Sequence, residues 1–183
     1  MKLKKNKAAT GNHKRWVILI TFAAFLLSVF MSFFSEILLD STGRFISFVI
    51  LIFIIFLGIF FDAIGFAVTV ADERPFHSMA SAKVKSASNS IFLIRNASKV
   101  SNFCNDVIGD ICGIISGTSA AYIIIKMQSD YPAIDMAIVS VILSGLIAAL
   151  TIGGKAAGKE IAMNYAKEIV TAAGKVIAVF EKK

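Results

Sequence analysis

Charge is scarce in this chain, and so are the residues that most often carry catalysis or hold soft metals. Of 183 residues only 17% are charged, against 57% hydrophobic, a balance far from that of a soluble domain. There are two histidines and two cysteines. Cys104 and Cys112 fall on one expected helix about 12 Å apart along its axis, so they cannot bridge each other. Their spacing does not suggest zinc, and they read as packing residues. His77, in "DERPFHS", has no second histidine or cysteine placed to complete a metal site and reads as solvent-facing. No G-x-S-x-G nucleophile motif occurs, and the expectation is a protein that is not an enzyme. Gly153-Gly154 beside Lys155 lacks the lysine-serine/threonine ending of a phosphate loop and reads as a helix break after a membrane span.

What is abundant is apolar sequence in long runs. Four segments, 16–39, 45–71, 100–125 and 133–152, have few or no charges and the length of about 20 residues that crosses a bilayer. The expected fold class is therefore an all-α membrane protein: four transmembrane helices in one domain over 1–183, with juxtamembrane helices and a C-terminal amphipathic helix. The first apolar segment follows the basic "MKLKKNKAATGNHKR". It is longer than a signal-peptide core, and no A-x-A site follows, so it reads as an anchor.

Lysine and arginine are retained on the cytoplasmic side of a membrane. The N-terminal stretch 1–15, the connection 72–99 and the tail from Lys155 together hold seventeen basic residues, whereas the two other connections hold only Arg44 and Lys126. A multi-pass topology with both termini cytoplasmic follows, in the plasma membrane if the host is bacterial. The net charge of +7 then serves orientation and attraction to the anionic lipid bilayer. Nucleic acid is not an expected partner, because the basic residues are not interleaved with exposed aromatics.

Short external connections make spans one and two, and spans three and four, antiparallel neighbours. The connection 72–99 is long enough for one or two short surface helices, with Pro75 suited to a helix start. In the tail 153–183, Ile161, Tyr165, Ile169, Ala172, Val176 and Phe180 recur at steps of three and four. That stripe fits an interfacial helix in the plane of the membrane or a helix packed on a protein partner, and periodicity does not separate the two.

Acids inside such spans mark functional sites, because an ionised carboxylate at the bilayer centre costs at least about 2.5–3.5 kcal/mol. Asp62 interrupts "GIFFDAIGFA" in span two, and Asp110 lies in span three. Counted from the cytoplasmic ends of their spans, both are about 14–15 Å deep. Asn102, Asp106 and Asp110 follow at i, i+4 and i+8 and line one face. Asn105, Gly109, Gly113 and Gly117 form a second row that permits close helix approach, which makes span three the expected central helix. Asn102 and Asn105 read more as helix-bonding residues than as ligands. Carboxylates, amides and carbonyls are the oxygen ligands of a hard cation such as Mg²⁺.

At this point the order of features resembles the transmembrane domain of the CorB/CorC and cyclin M (CNNM) magnesium transporters. That family has an F-F-S-G-S-E span, a basic connection, an I-G-N span, and a G-E-I-x-P-K segment running into an amphipathic helix. Here Phe60-Phe61-Asp62-Ala63-Ile64-Gly65 stands first, "AKVKSASNSIFLIRNASKVSNF" resembles the connection, Ile108-Gly109-Asp110 resembles I-G-N, and "GKAAGKEIAMNYAKEIV" resembles the last segment. The family's cation-associated positions become Asp62, Gly65, Asp110 and Lys155. The resemblance implies a homodimer and transport of Mg²⁺ or Co²⁺. The chain adds a first span and carries no CBS domains after the tail, which implies a separate regulatory subunit.

Three readings follow. The first is divalent cation transport with Asp62 and Asp110 as metal ligands and Lys155, Asp106 and Asn102 as counter-charge or lining. The second is a non-transporting scaffold or accessory subunit in which Lys155 replaces the cation. The third is proton-coupled movement of another solute through the paired acids.

Overall fold

A computed structural model describes residues 7–40, 43–129, 131 and 135–180. The first six residues of the basic N-terminal stretch, positions 132–134 at the expected start of span four, and Lys182 and Lys183 lie outside them. Among the described residues the chain is all-α: α1 (Lys7–Asp40), α2 (Arg44–Val70), α3 (Arg74–Ser81), α4 (Ala87–Arg95), α5 (Ala97–Asn102), a π-helix (Phe103–Gly109), α6 (Asp110–Gln128), α7 (Met136–Asn164) and α8 (Ala166–Phe180). α5, the π-helix and α6 run on as one span. Four helical segments are long and apolar enough to cross a membrane: Val17–Asp40, Phe45–Val70, Ala97–Gln128 and Met136–Asn164.

The bundle is inside out in the manner of a protein dissolved in lipid. Phe22, Phe25, Phe30 and Phe33 of α1 and Phe45, Phe53, Phe56 and Phe60 of α2 are exposed, while Ser35, Ser47, Ser116, Ser119, Ala67 and Ala120 are buried. With lipid tails as apolar as leucine, helices gain by bringing small and hydroxylated faces together. α2 is the hub, packed most closely on α7 and the third span, and it is α2 rather than span three that is central. α1 docks chiefly on α6 and only slightly on α2, because its inward serine, Ser35, finds Ser119 of α6 at 3.3 Å.

α7 does not break at Gly153-Gly154; the helix continues to Asn164 and ends at Tyr165. The glycines serve packing instead. A Cβ on Gly154 would collide with Ile59 of α2, and one on Gly158 would touch Ile59 and Ala63 at 3.4–3.5 Å. The tail is consequently two helices. α8 folds back onto α4, where Ser90 Oγ donates to the Val170 carbonyl at 3.2 Å.

This end of the bundle is a helical collar with its own core of Ala67, Val68, Phe76, Leu93, Ala162 and Val170. The face of the tail that packs there is the small one, Ala162, Ala166, Val170 and Ala173. Ile161, Tyr165 and Val176 from the expected stripe point outward, and Ile169 is shared with the packed face. The two connection helices expected in 72–99 are α3 and α4, and Pro75 sits in the first turn of α3.

Candidate cation site

Asp62 owes its position to two glycines on its own helix face. Gly58, Asp62 and Gly65 stand at i, i+4 and i+7 along α2, a spacing that puts them in one row. A Cβ on Gly58 would lie 3.0 Å from Cys112 Cβ, and one on Gly65 would run into Asn105 Oδ1 and lie 3.0 Å from Cys104 Cβ. The third span therefore approaches α2 closely one turn to either side of Asp62, and the aspartate between is only 4% exposed. Both cysteines are free thiols with buried side chains in this contact, as packing residues.

The fourth span supplies the counter-charge. Close packing of Gly154 and Gly158 on α2 brings the intervening Lys155 to Asp62, with Nζ 3.8 Å from Oδ1. A side chain at Gly109 would meet that ammonium at 3.6 Å, so the glycine leaves it room. The Lys155 side chain is 27% exposed and the Asp62 side chain 6%. At 3.8 Å the ion pair is longer than a hydrogen bond.

The carboxylate is only half engaged. Asp62 Oδ2 is buried with no hydrogen-bond partner, and so is Asn105 Oδ1. The Asn105 amide nitrogen donates to Ser101 Oγ at 3.3 Å, which leaves its oxygen turned toward Gly65 and α2. Two unpaired oxygen acceptors thus border the Asp62–Gly65 turn. A buried acceptor without a partner costs about 1–3 kcal/mol, and such atoms in native structures ask for an explanation.

The other acids expected at the site stand elsewhere. Asp110, Asp106 and Asn102 do share one face of the third span, but that face is exposed, and no hydrogen bond or ion pair joins them to Asp62 among the described residues. Gly113 and Gly117 are likewise open, with no heavy atom near a Cβ built on either. Across the π-helix at Phe103–Gly109, the residues that meet α2 are Cys104, Gly109 and Cys112. Asn105, read from sequence as a helix-bonding residue, is the ligand candidate the spacing missed. Two features pointed to it: the glycine opposite, and the tendency of π-turns to occur at functional sites.

One carboxylate and one amide oxygen are a sparse ligand set, and no group of three histidine, cysteine or acidic side chains forms among the described residues. Sparse protein ligation fits Mg²⁺, which keeps several waters and takes one or two carboxylates. His77 is engaged in the collar: its Nε2 lies 2.9 Å from Glu73 Oε1, which also accepts from Arg95 Nε at 2.8 Å. The Arg95 guanidinium holds the Glu73 carboxyl below its ordinary range. No known protein family, curated protein or solved structure matches this chain.

Proposed function

We propose that this integral membrane protein handles a hard divalent cation, Mg²⁺ or Co²⁺, at an intramembrane site built on Asp62, and that its own Lys155 neutralises the site at rest. The observation that carries this reading is the half-engaged carboxylate: Oδ1 at 3.8 Å from Lys155 Nζ, and buried Oδ2 without a partner beside an equally unpartnered Asn105 Oδ1. A pair serving only to hold helices together gains by tight geometry and by filling its remaining lone pairs. This pair does neither. An incoming cation with its waters would satisfy both oxygens once the ammonium withdraws, and a partly exposed lysine stem can extend toward the membrane surface. By the distribution of basic residues, the collar end to which it would extend faces the cytoplasm.

The order of motifs that resembles CorB and CNNM transporters supports the same ion class. The test is a titration of the purified protein with Mg²⁺, Mn²⁺ and Co²⁺, paired with flux into proteoliposomes. Wild type is expected to take up cation, Lys155→Met to bind it more tightly, and Asp62→Asn to do neither. Absence of binding in both wild type and Lys155→Met rejects the site.

The accessory-subunit reading is favoured by the ion pair itself, which is the arrangement expected if lysine has replaced the cation. In that case Lys155→Met binds cation while the wild type carries no flux.

A further inference from the structure

The outward face of the third span does not suit lipid. Asp106, Asp110, Gly113, Gly117 and Ala121 are all exposed, and steps of three and four residues set them in one row. A Cβ on Gly113 or Gly117 would meet nothing. Elsewhere the outward faces are those of a chain in hydrocarbon, with Phe22 and Phe30 on α1, Phe53 and Phe56 on α2, and Val141 and Leu146 on α7. We propose that the acidic, small-residue face is the docking surface for a transmembrane helix of a second protein, one with small residues along its contact side and a lysine or arginine level with Asp110.

Depth makes the acids decisive. A Cβ on Gly58 would lie 3.8 Å from the Gly109 carbonyl, so Asp110 stands close to the level of Gly58. That glycine is fourteen residues from the start of α2 at Arg44 and twelve from its end at Val70, about 21 and 18 Å of helix rise. Asp110 is therefore near the middle of the bilayer, with Asp106 about one turn nearer the collar. An ionised side chain at such depth faces protein or a wet cavity and pairs with another group. Neither acid has an ion pair among the described residues, and Lys155 at this depth is turned to Asp62.

Small residues at a spacing of four let a second backbone approach, which is how helices associate in membranes. Charge tells which helix. A second copy of this chain, related by a two-fold axis along the membrane normal, would lay the face on itself. Asp110 would then oppose Asp110 and Asp106 would oppose Asp106, four carboxylates with no cation among them, and like charges juxtaposed in an interface select against that partner. A helix that brings its own lysine or arginine meets the carboxylates with the opposite sign and closes on the glycines beside them. α1 covers the neighbouring flank at Val107, Ile111 and Ile115 and stops short of this face.

The experiment is Förster transfer in phosphatidylcholine vesicles between the full chain, fused at its C-terminus to a fluorescent protein, and a dye-labelled synthetic transmembrane peptide with glycine at every fourth position and one central lysine. Peptides with leucine or glutamate in place of that lysine are the comparison. The lysine peptide is expected to bind saturably, the leucine peptide about tenfold or more weakly, and the glutamate peptide not at all. Asp110→Asn should weaken lysine-peptide binding by about tenfold or more, and Gly117→Ile should abolish it by filling the face. Phe53→Ala, on the outward side of α2, should leave it unchanged. Transfer between two copies of the chain is measured alongside. Equal binding of the three peptides, no binding of the lysine peptide, binding retained in both Asp110→Asn and Gly117→Ile, or self-association that Gly117→Ile abolishes overturns the proposal.

Discussion

Replacing Lys155 by methionine removes the cation that the structure brings to Asp62 and keeps most of the side-chain volume. Removing one partner from a buried ion pair typically costs about 3–5 kcal/mol, because the other charge is stranded. Here the lysine is 27% exposed and the separation is 3.8 Å, so the expected loss falls short of that range, at about 2–3 kcal/mol. Asp62→Asn strands only an ammonium that can extend to the membrane surface, and about 1 kcal/mol is expected.

The double variant should be more stable than the sum of its parts, because no unpaired charge is left; a coupling of about 1–2 kcal/mol is the expected signature. Unfolding can be followed with a thiol-reactive fluorophore, since Cys104 and Cys112 are both free and buried. In Lys155→Met the stranded carboxylate becomes a better cation ligand, so Mg²⁺ at about a hundred times its dissociation constant should restore about 2.7 kcal/mol. The reasoning is refuted if Lys155→Met unfolds with wild type and is indifferent to Mg²⁺, or if the two single effects simply add.

Gly65→Ala drives a methyl into Asn105 and Cys104 and should destabilise by about 1–3 kcal/mol in the same thiol assay, whereas Gly113→Ala, which meets nothing, should be neutral or slightly stabilising. Gly174→Ala would meet Ser90 Oγ and the Ser86 carbonyl, and should detach α8 from α4, read as faster amide exchange over 166–180 with little change in α7. Asp110→Asn should leave the Mg²⁺ response of Lys155→Met intact, because Asp110 faces away from Asp62; a lost response would restore the two-acid site. The Glu73 carboxyl, held below its ordinary value of 4.5 chiefly by Arg95, contributes collar stability above pH 4.5 that disappears as pH falls through the lower folded value. Limited proteolysis of the 74–95 region should accordingly accelerate on acidification below about pH 4.5, and Glu73→Gln should be equally susceptible at every pH.

The four spans were legible because the cost of charge in lipid leaves a composition signal over some twenty residues, and every expected span has its helix. Helix continuity was less legible. Gly153-Gly154 looks like a break only while its neighbours are unknown; with Ile59 of α2 against it, the same pair is a packing surface. The side of the tail that packs on the collar was not legible for a related reason. In water the large apolar stripe, Ile161, Tyr165 and Val176, would face the core, but next to lipid the small residues pack inward and the large ones remain outside. Asp62 was legible as a rare charge at membrane depth, whereas Lys155 read as the start of the basic tail, and only the resemblance to the CorB/CNNM order suggested that it pairs with an aspartate. Asp110 was legible as an intramembrane acid, but not as an outward-facing one.

That last difference is one of azimuth, and it bears on the site. Counting in steps of four from Asn102 places Asp106 and Asp110 on one face, and the structure keeps them there. Depth along a helix, however, says nothing about azimuth, and two acids at one depth need not meet. The face turned to α2 carries Cys104 and Cys112 with Gly109 between them. That is a set of small side chains which permits close approach and offers no charge of its own. Asn105 enters this face within the π-turn, one turn of α2 from Asp62. Had the third span presented Asp110 inward, two carboxylates would have faced one lysine, leaving a net negative site. With Asp110 outward, Asp62 and Lys155 balance at rest, and the unpaired oxygens of Asp62 and Asn105 are what remains to receive a cation when the ammonium moves away.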